Sequence, residues 1–167
     1  MAEATFEPKI VAFLCRWCAG AGADLAGTSR LAYPPNAIPI RVNCSGRVEM
    51  EWVMEAFRSG ADGVLIGGCH PGDCHYVSGN YKTRRRVYLL KRMLEELGIE
   101  PERVRLEWVS ATEGAKFARV MREFVAELKK LGPLSVDRDP LSVGQGPSSV
   151  GPEPVIAERR GEGGIGA

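Results

Sequence analysis

Three short apolar runs, each delivering a cysteine at its carboxyl end, constrain this chain more than any other feature. Residues 9–15 (K-I-V-A-F-L-C) end at Cys15, residues 38–44 (I-P-I-R-V-N-C) end at Cys44, and residues 63–68 (G-V-L-I-G-G) lead directly into Cys69. The first run, apolar and β-branched, predicts a buried strand of a parallel sheet, and the other two predict a second strand and a short, wholly apolar third. Pro39 stands near the start of the second run, where a missing N–H is tolerated most easily. Residues 104–109 (V-R-L-E-W-V) alternate instead, and predict a half-exposed fourth strand.

The stretches between these runs read as helices. Residues 19–31 hold Gly20, Gly22 and Gly27, so the spacing predicts an irregular, glycine-weakened helix ended by Pro34 and Pro35. Met50, Val53, Met54 and Phe57 recur at helical spacing, with Gly60 as a stop. Val87, Leu90, Met93, Leu94 and Leu97 form an amphipathic helix closed by Gly98. The longest stripe runs from Phe117 to Leu131, with Ser110 and Thr112 as N-cap candidates. Alternating strands and helices imply βαβ units. The expected fold is a small open parallel α/β sheet of about four strands with flanking helices, flavodoxin-like or Rossmann-like, occupying residues 1–132. Residues 133–167 are rich in Gly, Pro and Ser without an apolar period, and read as a disordered or partner-dependent tail. Its apolar residues, Leu134, Leu141, Val143, Val150, Val155 and Ile156, are the ones a partner's groove could take.

Bulk properties exclude several classes. A formal net charge of +1 offers no field for nucleic acid or a membrane surface. No signal peptide or membrane-spanning run is readable, which points to a cytoplasmic, reducing setting. In such a setting an odd count of five cysteines argues against a disulfide framework.

In an open α/β sheet, ligands bind beyond the carboxyl ends of the strands. Cys15, Cys44 and Cys69 lie there by position, and Cys18 and Cys74 follow a few residues on in loops. One buried cysteine is ordinary core; five converging on one edge are a thiolate site. The C-R-W-C pair alone could ligate zinc, ligate an iron–sulfur cluster or act as a redox dithiol. A dithiol enzyme using Cys15 and Cys18 leaves the other three idle, and a zinc-stabilised module is a device for domains without a core. His70 and His75 flank the last cysteines and fit better beside the site, or at a protein contact, than on a metal. Gly20, Gly22, Gly67, Gly68, Gly72 and Gly79 crowd the same edge, either as turns or to bring backbone N–H groups near sulfur. Lys82, Arg84, Arg85 and Arg86 form a basic run ahead of the third helix, a solvated edge or a steering patch. No dinucleotide fingerprint is complete, because Leu25 stands where the third glycine belongs.

The blocks F-L-C-R-W-C-A-G-A-G-A-D-L-A-G, R-V-N-C-S-G-R-V and G-V-L-I-G-G-C-H-P-G-D-C-H-Y-V-S-G-N resemble the delta subunit family of methyl-viologen-reducing hydrogenase, small iron–sulfur proteins of methanogens and some anaerobic bacteria. The resemblance covers residues 6–131. It implies an electron-relay subunit without a substrate of its own, carrying a 2Fe–2S cluster. Its partners would be a hydrogenase or a formate dehydrogenase on one side and the flavin-bearing A subunit of heterodisulfide reductase on the other. A 2Fe–2S cluster takes four thiolates, and close pairs borne on loops wrap a cluster more readily than a strand end. The expected ligands are therefore Cys15, Cys18, Cys69 and Cys74, with Cys44 beside the site or as an alternative ligand. Arg16 within the first pair departs from the expected C-N-W-C, which bears on the charge near the site rather than on ligation.

Overall fold

The computed structural model describes residues 6–135. Four strands, β1 (Ile10–Cys15), β2 (Ala37–Val42), β3 (Gly63–Gly68) and β4 (Val104–Trp108), form one sheet in the order β2-β1-β3-β4. Every neighbouring pair is parallel. The helices are α1 (Ala19–Thr28), α2 (Met50–Arg58), α3 (Gly79–Glu96) and α4 (Gly114–Leu131).

Two apolar layers explain why the central strands are hydrophobic throughout. On one face Leu14 and Leu65 join Ala19 and Ala26 of α1 and Phe117, Met121, Phe124 and Leu128 of α4. On the other, Phe13, Val64 and Ile66 pack with Val53 and Phe57 of α2 and Val87, Leu90 and Leu94 of α3. Each such side chain removed from water contributes about 2 kcal/mol. The chain leaves β1 toward β2 on one side and later returns to β3 on the other. The crevice beyond β1 and β3 is therefore the topological switch point of the sheet.

The amino-terminal end of the sheet is closed by a buried polar knot. The Arg103 guanidinium donates to the Asp62 carbonyl at 3.1 Å and the Gly132 carbonyl at 3.0 Å, and pairs with Glu100 at 2.7 Å. The Asp62 carboxylate accepts from the backbone N–H groups of Lys9 and Leu134. Leu134 is buried in the core beside α3. This corrects the expectation that Leu134 belongs to a partner-seeking tail: an apolar residue with a satisfied N–H is held by the domain itself. The rest of the expected tail, residues 136–167, with the other apolar residues named above, lies outside the described residues.

Three local expectations also change. The glycines of α1 do not make it irregular, because close packing replaces what propensity lacks: a Cβ at Gly22 would meet the carbonyl of Ser110, just beyond β4, at 2.8 Å. It ends at Thr28, well before the prolines. α3 begins at Gly79 rather than near Val87, so the basic run lies inside the helix. The N-cap position of α4 belongs to Glu113, not to Ser110 or Thr112.

Candidate metal centre

All five cysteines are buried at the carboxyl end of the sheet, and none forms a disulfide. Cys15 ends β1, Cys18 stands at the N-cap position of α1, and Cys69 follows β3. Their three sulfurs lie within 4.8 Å of one another, with Cys15 and Cys69 at 3.9 Å across the switch point. Cys44 lies two residues beyond β2, at the start of a 3-10 turn over Ser45–Arg47. Its sulfur is 3.7 Å from that of Cys74. The fold thus sorts the thiols into a group of three and an adjoining pair.

Backbone N–H groups aim at these sulfurs. The Gly46 N–H reaches the Cys44 sulfur at 3.4 Å. The Cys15 thiol is drawn down to about 5, chiefly by a hydrogen bond from Cys18 and also by the N–H groups of Trp17 and Ser45. Cys18, the donor in that contact, is pushed far up by it and by its burial. Burial pushes Cys44 up to about 11 and raises Cys69. Cys74 goes the other way: burial opposes ionisation, but the N–H groups of Asn80, Tyr76 and Gly79 and a bond from Cys44 outweigh it. Donors of this kind stabilise thiolate sulfur and are what a thiolate-bound metal group needs around it.

Gly79 shows how tightly α3 closes the site. A Cβ there would overlap the Cys44 sulfur and approach the Cys74 sulfur at 3.1 Å, so only glycine lets the helix start against both. The next turns of α3 hold the two loops that carry the thiols. Asn80 is buried and donates to the carbonyls of Cys69 and His70. The Thr83 hydroxyl lies 3.1 Å from the Ser45 hydroxyl and 2.9 Å from the Gly79 carbonyl, which ties the 3-10 turn to the helix. Arg86 donates to the Gly46 and Val48 carbonyls and pairs with Glu49 at 3.2 Å. Sequence reasoning missed Asn80 and Thr83 and placed Arg86 in a solvated run. Their one signal was a stretch of polar residues following an irregular loop.

The histidines take no part in the thiol group. His70 pairs with Glu113 at 2.6 Å, and Glu113 also accepts from the Ser110 N–H, which with His70 holds its carboxyl at about 2. His75 stacks on Trp17 with ring centroids 3.9 Å apart. Both contacts pin the loop after β3 to neighbouring elements. Of the six crowded glycines, Gly79 touches sulfur, Gly72 turns the loop at φ +96°, and a Cβ at Gly67 would meet the Ala19 side chain at 2.7 Å.

Residues 10–132 match the family described as methyl-viologen-reducing hydrogenase, delta subunit. The chain belongs to this family. The D-type iron-sulfur subunit of F420-non-reducing hydrogenase from Archaeoglobus profundus is 59% identical over 133 residues, covering 80% of this chain and 97% of the relative. The vhc D-type iron-sulfur subunit from Methanococcus voltae is 57% identical, covering 81% and 94%. A third relative is of another kind. The A-type subunit of the ferredoxin/F420H2-dependent CoB-CoM heterodisulfide reductase of Methanosarcina acetivorans is 50% identical over 76% of this chain, which corresponds to 16% of that relative. A sequence of this family thus occurs as a hydrogenase subunit of similar length and as a portion of a much longer reductase subunit. No helix among the described residues is long and apolar enough to cross a membrane.

Proposed function

We propose that this chain is an electron-transfer subunit that carries a 2Fe–2S cluster and relays electrons between a hydrogenase, or a formate dehydrogenase, and the flavin-bearing A subunit of heterodisulfide reductase in the cytoplasm. The observation that carries the reading is the convergence of five reduced, buried thiols at the switch point, with backbone N–H groups aimed at their sulfurs. A 2Fe–2S cluster supplies one-electron transfer at a fixed place near the surface. Family membership and the iron-sulfur names of the relatives support the cofactor class, and the joining of this sequence to an A-type reductase subunit in one relative supports the partner.

The ligands in this reading are Cys15, Cys18, Cys69 and Cys74, with Cys44 in contact with Cys74. One observation favours a second set. The Cys44 and Cys74 sulfurs lie 3.7 Å apart and those of Cys15 and Cys69 3.9 Å apart, so an arrangement of these two pairs would employ Cys44 and release Cys18.

A thiol–disulfide oxidoreductase is less well supported, because its attacking thiolate must reach a substrate. Cys15, the more acidic of the first pair, is only 1% exposed. The domain also has two full apolar layers, which removes the usual need for structural zinc.

The test is transfer itself. The chain, reduced by dithionite and freed of excess reductant, is mixed anaerobically with an A-type flavoprotein. Flavin reduction at the expense of the visible absorption of the chain is the expected result. Hydrogen or formate oxidation by the chain alone would refute the relay.

A further inference from the structure

Two openings lead from the surface toward the thiols, and their chemistry differs. One, of about 280 Å³, is lined by Trp17, Cys18, Cys69, His70, Asp73 and His75. The other, of about 500 Å³, has Cys44 in its wall with Trp52, Tyr76, Arg41, Arg47 and Lys82, and no aspartate or glutamate lines it. Arg41 is engaged by Asp24. Among the described residues Arg47 and Lys82 form no ion pair, and neither do the exposed Arg84 and Arg85 that follow on α3. At the opposite edge of the sheet, by contrast, Arg105 meets Glu107, Glu123 and Glu127.

The rim of the larger opening is apolar where an isolated chain gains nothing from it. Trp52 and Tyr76 are 39% and 49% exposed, and Val77, next to Tyr76 in the chain, is 82% exposed. Val77 also has φ +66°, a conformation that strains a β-branched residue. Exposed aromatic side chains with arginine beside them are the composition of a protein interface.

We propose that this opening is the docking surface for an acidic segment of the A-type partner protein. Partner carboxylates meet Arg47 and Lys82, and partner apolar side chains cover Trp52, Tyr76 and Val77. The inference rests on the electron-relay reading and adds the face and the partner's charge. It brings the partner up to the Cys44 side of the thiol site and leaves the opening at Trp17 and His75 free for a second protein.

The experiment measures binding of the full chain, purified anaerobically with its cluster, to an A-type heterodisulfide reductase protein at two salt concentrations. The Arg47→Glu/Lys82→Glu double variant should bind at least about tenfold more weakly, with a flatter salt dependence, and keep the wild-type visible spectrum. An Arg30→Glu/Lys130→Glu control, altered away from the opening, should bind as the wild type does. Wild-type affinity in the double variant, or equal loss in the control, would overturn the proposal while leaving the relay intact. A wild-type chain that carries its cluster yet fails to bind the A-type protein at all would remove the relay reading itself. Binding of flavin mononucleotide or pyrophosphate to the wild type, abolished by the same double substitution, would assign the opening to a small anionic ligand instead.

Discussion

The sulfurs of Cys44 and Cys74 lie 3.7 Å apart although the residues are separated by 30 positions, and α3 begins against both of them. This contact joins the loop after β2 to the loop after β3. It makes Cys44 a neighbour of the site rather than a thiol left at a strand end.

A serine series separates the two ligand sets. Cys15→Ser and Cys69→Ser should abolish or strongly perturb the visible and paramagnetic signals. In the first set Cys18→Ser does the same and Cys44→Ser leaves a reducible cluster. Loss in Cys44→Ser with retention in Cys18→Ser would establish the second. The readout is iron content with the absorption spectrum of each variant.

Gly79→Ala should lose the cluster without unfolding the domain. The added methyl group would overlap the Cys44 sulfur, and backbone on the other side, at Gly46, leaves it no retreat. Circular dichroism near that of the wild type, with iron content sharply reduced, is the expected outcome. A full complement of iron would show that the start of α3 is not pressed against the site.

Arg103→Ala should destabilise the chain by about 3 kcal/mol, since it leaves the buried Asp62 carbonyl and the half-buried Gly132 carbonyl without their donor. Removing everything after Leu131 should cost about 2 kcal/mol through loss of the Leu134 side chain, whereas ending the chain after Ser135 should not. Denaturant midpoints of the three proteins check both statements. Neither change touches the thiols, so the spectrum should persist wherever the fold does.

The Glu113 contact gives a pH dependence of known sign. Its carboxyl is held at about 2, below its ordinary 4.5, chiefly by the Ser110 N–H and then by His70. The stabilisation is therefore fully present above about pH 4.5 and is lost as the pH falls toward 2. In the cluster-free chain, the difference in melting temperature between wild type and Glu113→Gln should shrink as the pH falls through that window. A difference that grows on acidification would reverse the assignment.

The architecture was legible because apolar runs of strand length stand between helical stripes: β3 matches its expected bounds, and the convergence of the five cysteines follows from parallel topology alone. The early start of α3 was not legible. Gly79, Asn80 and the basic residues after them carry no apolar period, and they are helical because Asn80, Thr83 and Arg86 are spent on the loops of Cys44 and Cys69. The contact of Cys44 with Cys74 was equally hidden. It depends on how far a 3-10 turn carries the chain past β2, which spacing does not encode. Leu134 was misread for the opposite reason, a lone apolar residue in a Gly/Pro-rich stretch whose anchor, Asp62, lies far away in sequence.

The proposed 2Fe–2S cluster, held by these thiols, accepts one electron. The most direct measurement is iron and acid-labile sulfide analysis of the anaerobically purified chain, with paramagnetic resonance before and after dithionite. The expected result is about two irons and two sulfides per chain, brown colour that bleaches on reduction, and a paramagnetic signal present only in the reduced protein. A colourless protein holding zinc, or one free of metal that reduces a disulfide substrate, would contradict it.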